Sequence, residues 1–277
     1  IQDAIDGAVA GDVIFLDDGI FTGVGNRDVV YPTFPITIAS RSGDPSACII
    51  DCEGQGRAFT FLGNLTSASV LFGVTVVNGY VAGNGGGLLI GGDQDTSSPT
   101  VKNCVVHSCL ALRGGGLYVD TGAPLIEDCL ILYNRATQSD GGGLSSSAGE
   151  PTVRNCTFVG NVAESLGGGV SSVHPVSSVH IFNSIFTQNT ALGGTGGAVG
   201  CDGSGGSGSA DLYCTDVFGN TGGDWDGCIA SQQGQDGNLS ADPLFCDPAN
   251  QDFHLQSESP CAPNSPSNPE CDLIGAL

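Results

Sequence analysis

The chain has 277 residues, with 7 basic and 29 acidic side chains, a formal charge of −22, 45 glycines and 12 cysteines. Such a surface repels nucleic acid and anionic lipid, because binding either depends on Lys and Arg neutralising phosphate, and no stretch approaches the roughly eighteen consecutive apolar residues of a spanning helix. The cysteines follow no CxxC spacing and histidines number only four, which argues against zinc and for an oxidising, extracellular setting.

The first residues place Ile1, Ile5 and Val9 on one face of a short helix over 1–12, with Gly11 suited to close it. No initiator Met or charged-then-apolar leader precedes them, so the chain reads as a mature or trimmed fragment. The apolar run 13–16 then predicts a strand ended by Asp17-Asp18-Gly19, and residues 36–40, 48–52 and 58–63 predict further strands.

From residue 70 two motifs recur in step. One is "NCVVHSC" at Asn103, "DCLILYN" at Asp128, "NCTFVGN" at Asn155, "NSIFTQN" at Asn183 and "CTDVFGN" at Cys214. The other is a glycine run at Gly85, Gly114, Gly141, Gly167 and Gly196, followed by Leu88, Leu117, Leu144, Val170 and Val199. The last position of the first motif, aligned as Asn78, Cys109, Asn134, Asn161, Asn189 and Asn220, advances by 31, 25, 27, 28 and 31 residues. Regular content with loose length marks stacked coils with loops inserted on some faces. Cys156 and Phe158, two apart, share an inward face. Two or three short strands per coil, each bonded to its equivalent in the next, predict an all-β parallel β-helix, a solenoid of about ten coils and, at about 4.8 Å per strand, some 45–50 Å long. Glycines fit its corners, and Asn78, Asn134, Asn161, Asn189 and Asn220 are expected to form an amide ladder along the axis. The chain thus divides as a single domain into a cap (1–12), coils (13–220) and a last coil with a C-terminal cap (221–277).

The paired glycine and FxxN motifs (FVGN at Phe158, FTQN at Phe186, GGAV at Gly196) resemble the repeats of polymorphic outer-membrane proteins. The opening "IQDAIDGAVAGDVIFLDDGIF" and the closing "DPLFCDPANQDFHLQSESPC" resemble the terminal coils of pectin-lyase-like, right-handed parallel β-helix proteins of bacterial surfaces. That resemblance implies a right-handed helix and a superfamily holding both polysaccharide-cleaving enzymes and non-enzymatic surface proteins. The hydrolase branch is known by Asn-Thr-Asp, Asp-Asp, Gly-His-Gly and Arg-Ile-Lys. Here His107, His174, His180 and His254 lie in other contexts, and the Asp-Asp pair, Asp17-Asp18, sits in an early turn. The lyase branch uses Lys or Arg as base, but Lys102 and Arg154 share a repeat position with Glu127 between them, which predicts an outer charge column instead. No catalytic constellation stands out.

Three smaller groups carry binding or bonding expectations. Asp224, Trp225 and Asp226 set an aromatic face beside carboxylates, as a sugar contact would, or else cap a turn. Asp93 and Asp95 offer loop oxygens for Ca²⁺, against the reading of a solvated acidic loop. Cys104, Cys129 and Cys156 share one inward column at a spacing that would allow a disulfide between neighbours, though three cannot pair completely and stacked free thiols are the preferred reading. Cys246 with Cys261 is the expected staple of a tail with little core; Cys48 with Cys52 is a strained second choice, and Cys271 competes for either partner. The resulting expectation is a non-enzymatic extracellular or cell-surface structural or adhesive module, without a required cofactor, whose partner is a surface glycan or protein and whose open ends could stack on other copies. A polysaccharide lyase or hydrolase, or a carbohydrate-binding module centred on Trp225, are the alternatives.

Overall fold

A coil of this sequence has room for only three or so residues per strand before glycine, Asn or Asp turns the backbone, and each strand must find its hydrogen bonds in the next coil. The computed structural model, which describes residues 1–202 and 208–276, does this with four parallel sheets. Sheet 1 runs through eight strands from Val13–Leu16 to Ser209–Tyr213, and sheet 2 through eight from Gly19–Phe21 to Asp216–Phe218. Sheet 3 is four two-residue strands from Leu110–Ala111 to Thr190–Ala191. Sheet 4 is seven strands from Val29–Val30 to Val199–Cys201. The result is a right-handed parallel solenoid of about 7 turns, roughly 34 Å of stacked strands at about 4.8 Å each. The expected ten coils come down to about seven because residues beyond about 240 leave the helical path.

Straight registers stack like on like. Leu71, Val101, Ile126, Val153, Ile181 and Leu212 form one inward column, and Val76, Val106, Ile131, Phe158, Phe186 and Val217 form another; all are buried. Phe158 and Phe186 stack at 4.7 Å with planes 10° apart. Cys104, Cys129 and Cys156 are buried thiols, each with its single S–H shared between two backbone carbonyls.

Left-handed backbone makes the corners. One corner column is Asn103 (φ 51), Asp128 (φ 54), Asn155 (φ 49) and Asn183 (φ 48), between sheets 1 and 2. Gly141 (φ 67) opens another, and Gly142 beside it is required by proximity: a Cβ there would lie 2.5 Å from the Val162 nitrogen and the Gly168 carbonyl. After sheet 2, Asn134, Asn161, Asn189 and Asn220 form the ladder. Each donates Nδ2 to the Oδ1 of the next, at 3.1, 2.9 and 2.9 Å. Each also donates to a strand carbonyl, those of Val106, Ile131, Phe158 and Phe186. Asp224 ends the column, accepting from Asn220 Nδ2 at 2.7 Å.

Asn78 is not a rung. His107 registers with Val77 and with Leu132, so Asn78 lies level with Ser108 and Tyr133, at the left-handed residue one place before the ladder (φ 58, 56 and 54). Its Nδ2 donates to Asp51 Oδ1 instead, and Gly79 occupies the rung level.

The ends also differ from expectation. The helix covers only Gln2–Asp6 and closes at Gly7, leaving Val9 exposed. At the far end the last strand of sheet 1 is closed by Gln232, which accepts from the Leu212 nitrogen and donates to the Ala210 carbonyl; that protects an edge otherwise open to strand addition. The tail does not sit on the end of the stack. It runs back along the outer face of sheet 2 as a strap, the hairpin Phe245–Asp247 with Asp252–Leu255 leading it. Phe245, Phe253, Cys261 and Ile274 pack there on Leu132, Val159 and Ile185 in a second core outside the coil. The strap's final residues are pinned by Asn183 Nδ2 to the Leu273 carbonyl, Gly275 N to the Asn183 carbonyl, and Ala276 N to Thr157 Oγ1.

Candidate functional site

The corner column and the strap together make a cleft. Asn103, Asp128 and Asn155 come from three successive coils, held at left-handed φ by the turn between sheets 1 and 2. Phe72 and Lys102 stand beside them on the outer face of sheet 1, and Leu273 and Gly275 of the strap form the opposite wall, enclosing about 330 Å³. Lys102 Nζ lies 2.7 Å from Glu127 Oε2 and 3.2 Å from Asp128 Oδ2, and Arg154 lies 3.6 Å from Glu127. Asn155 Nδ2 donates to Asp128 Oδ1 at 3.0 Å, and Asn103 Nδ2 to the Gly43 carbonyl at 2.8 Å. The outer column Phe72, Lys102, Glu127, Arg154, Phe182 and Tyr213 is in register, Arg154 sitting over Phe182 at 5.9 Å. Hydrogen bonds to Glu127, only partly offset by desolvation, hold the Lys102 pKa above its ordinary value. Paired in this way, it is a fixed hydrogen-bond donor. Sequence reasoning treated Asn103, Asp128 and Asn155 only as the first letters of a repeat; their recurrence as Asn or Asp was the sign of a left-handed corner with polar side chains in a row.

A buried acid with a raised pKa lies elsewhere. Asp216, on sheet 2, is buried beneath the strap, where Oδ1 accepts from the Ala241 nitrogen at 3.0 Å and Oδ2 from Cys261 Sγ at 3.3 Å. Burial pushes its pKa up to about 7. In the unfolded chain it ionises near 3.8, so between those values the folded state binds more protons and stability falls as pH rises; the contribution is fully present below about 4 and lost above about 7. Asp216→Asn should therefore flatten the decline in melting temperature between pH 4 and 8 and stabilise the protein at pH 8 by on the order of 2 kcal/mol, discounted from about 1.4 kcal/mol per pH unit. An unchanged slope in the variant would refute the assignment.

The expected bonding residues are rearranged. Cys246 is exposed and unpaired, Cys261 is the buried partner of Asp216, and Cys48 and Cys52 are buried thiols, so neither expected bridge exists. The disulfides are Cys201–Cys228 and Cys214–Cys271. The second ties the strap to the last coil, because the path of the tail brings Cys271 and not Cys246 to the edge of sheet 2.

The Trp225 group is occupied with structure: Trp225 packs against the main core, Asp224 ends the Asn ladder, and Asp226 caps the 3₁₀ helix Gly227–Gln232. Asp95 accepts from the nitrogens of Gly63, Asn64 and Ser97 and from Ser97 Oγ. Partial burial raises its pKa, but these bonds outweigh it and hold the group low, while Asp93 is exposed. Asp17 pairs with Arg41 and Asp18 with Ser42. Among the described residues no group of three or more His, Cys, Asp or Glu is placed to hold a metal, and no helix is long and apolar enough to cross a membrane.

With coils, ladder and cleft in view, the class is plain. The profile of the right-handed β-helix region matches residues 46–215, and the chain belongs to that family. Among solved structures it is similar to the crystal structure of pectate lyase Pel9A, with a TM-score of 0.52 and 14% identity, over 79% of this chain and 57% of that one. It thus spans little more than half the length of that structure, and the likeness is one of fold. No curated protein matches significantly.

Proposed function

We propose that the chain is a non-catalytic extracellular β-helix module that attaches to a surface glycan. The observation that carries this reading is the scatter of its acids. Among the described residues, each of five surface clefts of about 290 to 490 Å³ is lined by a single carboxylate, Asp252, Asp242, Asp128, Glu53 or Glu150, and where a second acid stands close, Glu127 near Asp128, both are tied to Lys102 at 2.7 and 3.2 Å. Glycosidic hydrolysis uses two acids across one cleft, about 5–9.5 Å apart, and the strongly shifted Asp216 is sealed under the strap. The fold shared with a pectate lyase supports carbohydrate as the ligand class, and the two disulfides support residence in an oxidising compartment.

The test is release of reducing sugar and unsaturated product from a panel of plant and microbial polysaccharides, with and without Ca²⁺, beside retention of the protein on the same insoluble materials. Retention without turnover is expected. Turnover on any substrate would overturn the reading.

A further inference from the structure

We infer that the cleft between the corner column and the strap is a binding site for a neutral saccharide. This rests on the glycan-attachment reading and gives it a place and a ligand class. The cleft has the elements of a small-ligand site: a concave volume of 330 Å³, near the lower end of the roughly 300–1,000 Å³ usual for such sites, an apolar wall and a few converging polar groups. Phe72, half-buried on the outer face of sheet 1, presents an aromatic surface, and Leu273 faces it from the strap.

The polar groups are fixed and have capacity to spare. Asn155 and Asn103 each place one Nδ2 proton, on Asp128 and on the Gly43 carbonyl respectively, which orients each amide and leaves Oδ1 as an acceptor and a second N–H as a donor. Lys102 spends two of its three protons on Glu127 and Asp128 and has a third to donate. Acceptors from two coils and a donor from the coil's outer face, beside an aromatic ring, suit vicinal hydroxyls on one side of a sugar and its C–H face on the other.

Charge selects against an ionic ligand. Lys102 and Arg154 are matched by Glu127 and Asp128, so the site is locally neutral, and it lies on a chain of net charge −22. A uronate would find no unpaired cation and an unfavourable long-range field; a cation would compete with Lys102 for carboxylates already engaged. An uncharged polyol is the ligand that these groups accommodate without leaving a buried charge unpaired.

Titration calorimetry of the full chain with tri- to hexasaccharides of glucose, mannose, galactose and xylose, alongside oligogalacturonate, tests this. Saturable binding of a neutral oligosaccharide is expected, weakened at least fivefold in Phe72→Ala and in Asn155→Gly. The second variant removes the amide while suiting the left-handed backbone at 155 (φ 49), so it remains informative if Phe72→Ala folds poorly; unchanged circular dichroism and melting temperature qualify each variant. Neutral binding that survives both substitutions overturns the site and leaves the attachment reading standing. Binding of oligogalacturonate alone, or of no oligosaccharide, also overturns the site. Cleavage of the titrant overturns the reading on which it rests.

Discussion

Asn161→Ala is expected to destabilise the rod by about 3–4 kcal/mol. The Asn161 side chain is buried and makes four hydrogen bonds: Oδ1 accepts from the nitrogen and Nδ2 of Asn134, and Nδ2 donates to the Ile131 carbonyl and to Asn189 Oδ1. Each is worth about 1 kcal/mol net, but the substitution also strands partners that water cannot reach, and such groups cost about 1–3 kcal/mol apiece. Asn220→Ala, at the part-buried end of the ladder and beside Asp224, should cost less than half as much. Urea denaturation followed by circular dichroism measures both; equal losses would show that the interior rungs are not set apart by burial.

The second large effect belongs to the strap. Replacing Cys214 and Cys271 together by Ala removes a link across 57 residues, which on chain-entropy grounds stabilises by about 4 kcal/mol. What remains to hold the strap is the contact of Phe245, Phe253 and Ile274 with sheet 2 and a handful of hydrogen bonds. The variant should melt lower, bind a hydrophobic dye as Leu132, Val159 and Ile185 become exposed, and be cut by protease within 240–276 before the coils are touched. Loss of the coils' circular dichroism at the same temperature as tail cleavage would show instead that strap and coils unfold as one unit.

The solenoid was legible because its physics repeats: a residue error in one coil is corrected by the next, and Cys156, Phe158 and Leu144 could be assigned an inward face from spacing alone. Asn78 misled because its motif came first, where no earlier coil fixed the register, and a shift of one residue separates a left-handed corner from a ladder rung. Only part of the strap's seat was visible in the sequence: "LIL" at Leu130–Leu132 is apolar without alternation, the pattern of a strand covered on both faces, whereas Thr157–Val159 and Ile185–Thr187, buried throughout in the structure, carry threonines that hide their cover. Disulfide partners were not legible, since they depend on where the tail travels and not on local spacing. The cleft was half legible: the corner residues recur visibly, but its other wall comes from Leu273 and Gly275, far along the chain.

In most solenoids each repeat is bonded only to its neighbours, so the stack behaves as a row of links in series. The strap adds a rail in parallel. One continuous segment is fastened at Thr157, Asn183 and Asp216, residues of three different coils, so a pull that parts any two of those coils is shared with a tie that bypasses their interface. The early coils carry no such rail, and Val13, Phe15, Ile20 and Val24 stand exposed there. The rod is therefore mechanically lopsided, reinforced over its last three coils, with the cleft reaching forward from the first of them into coils that are not tied.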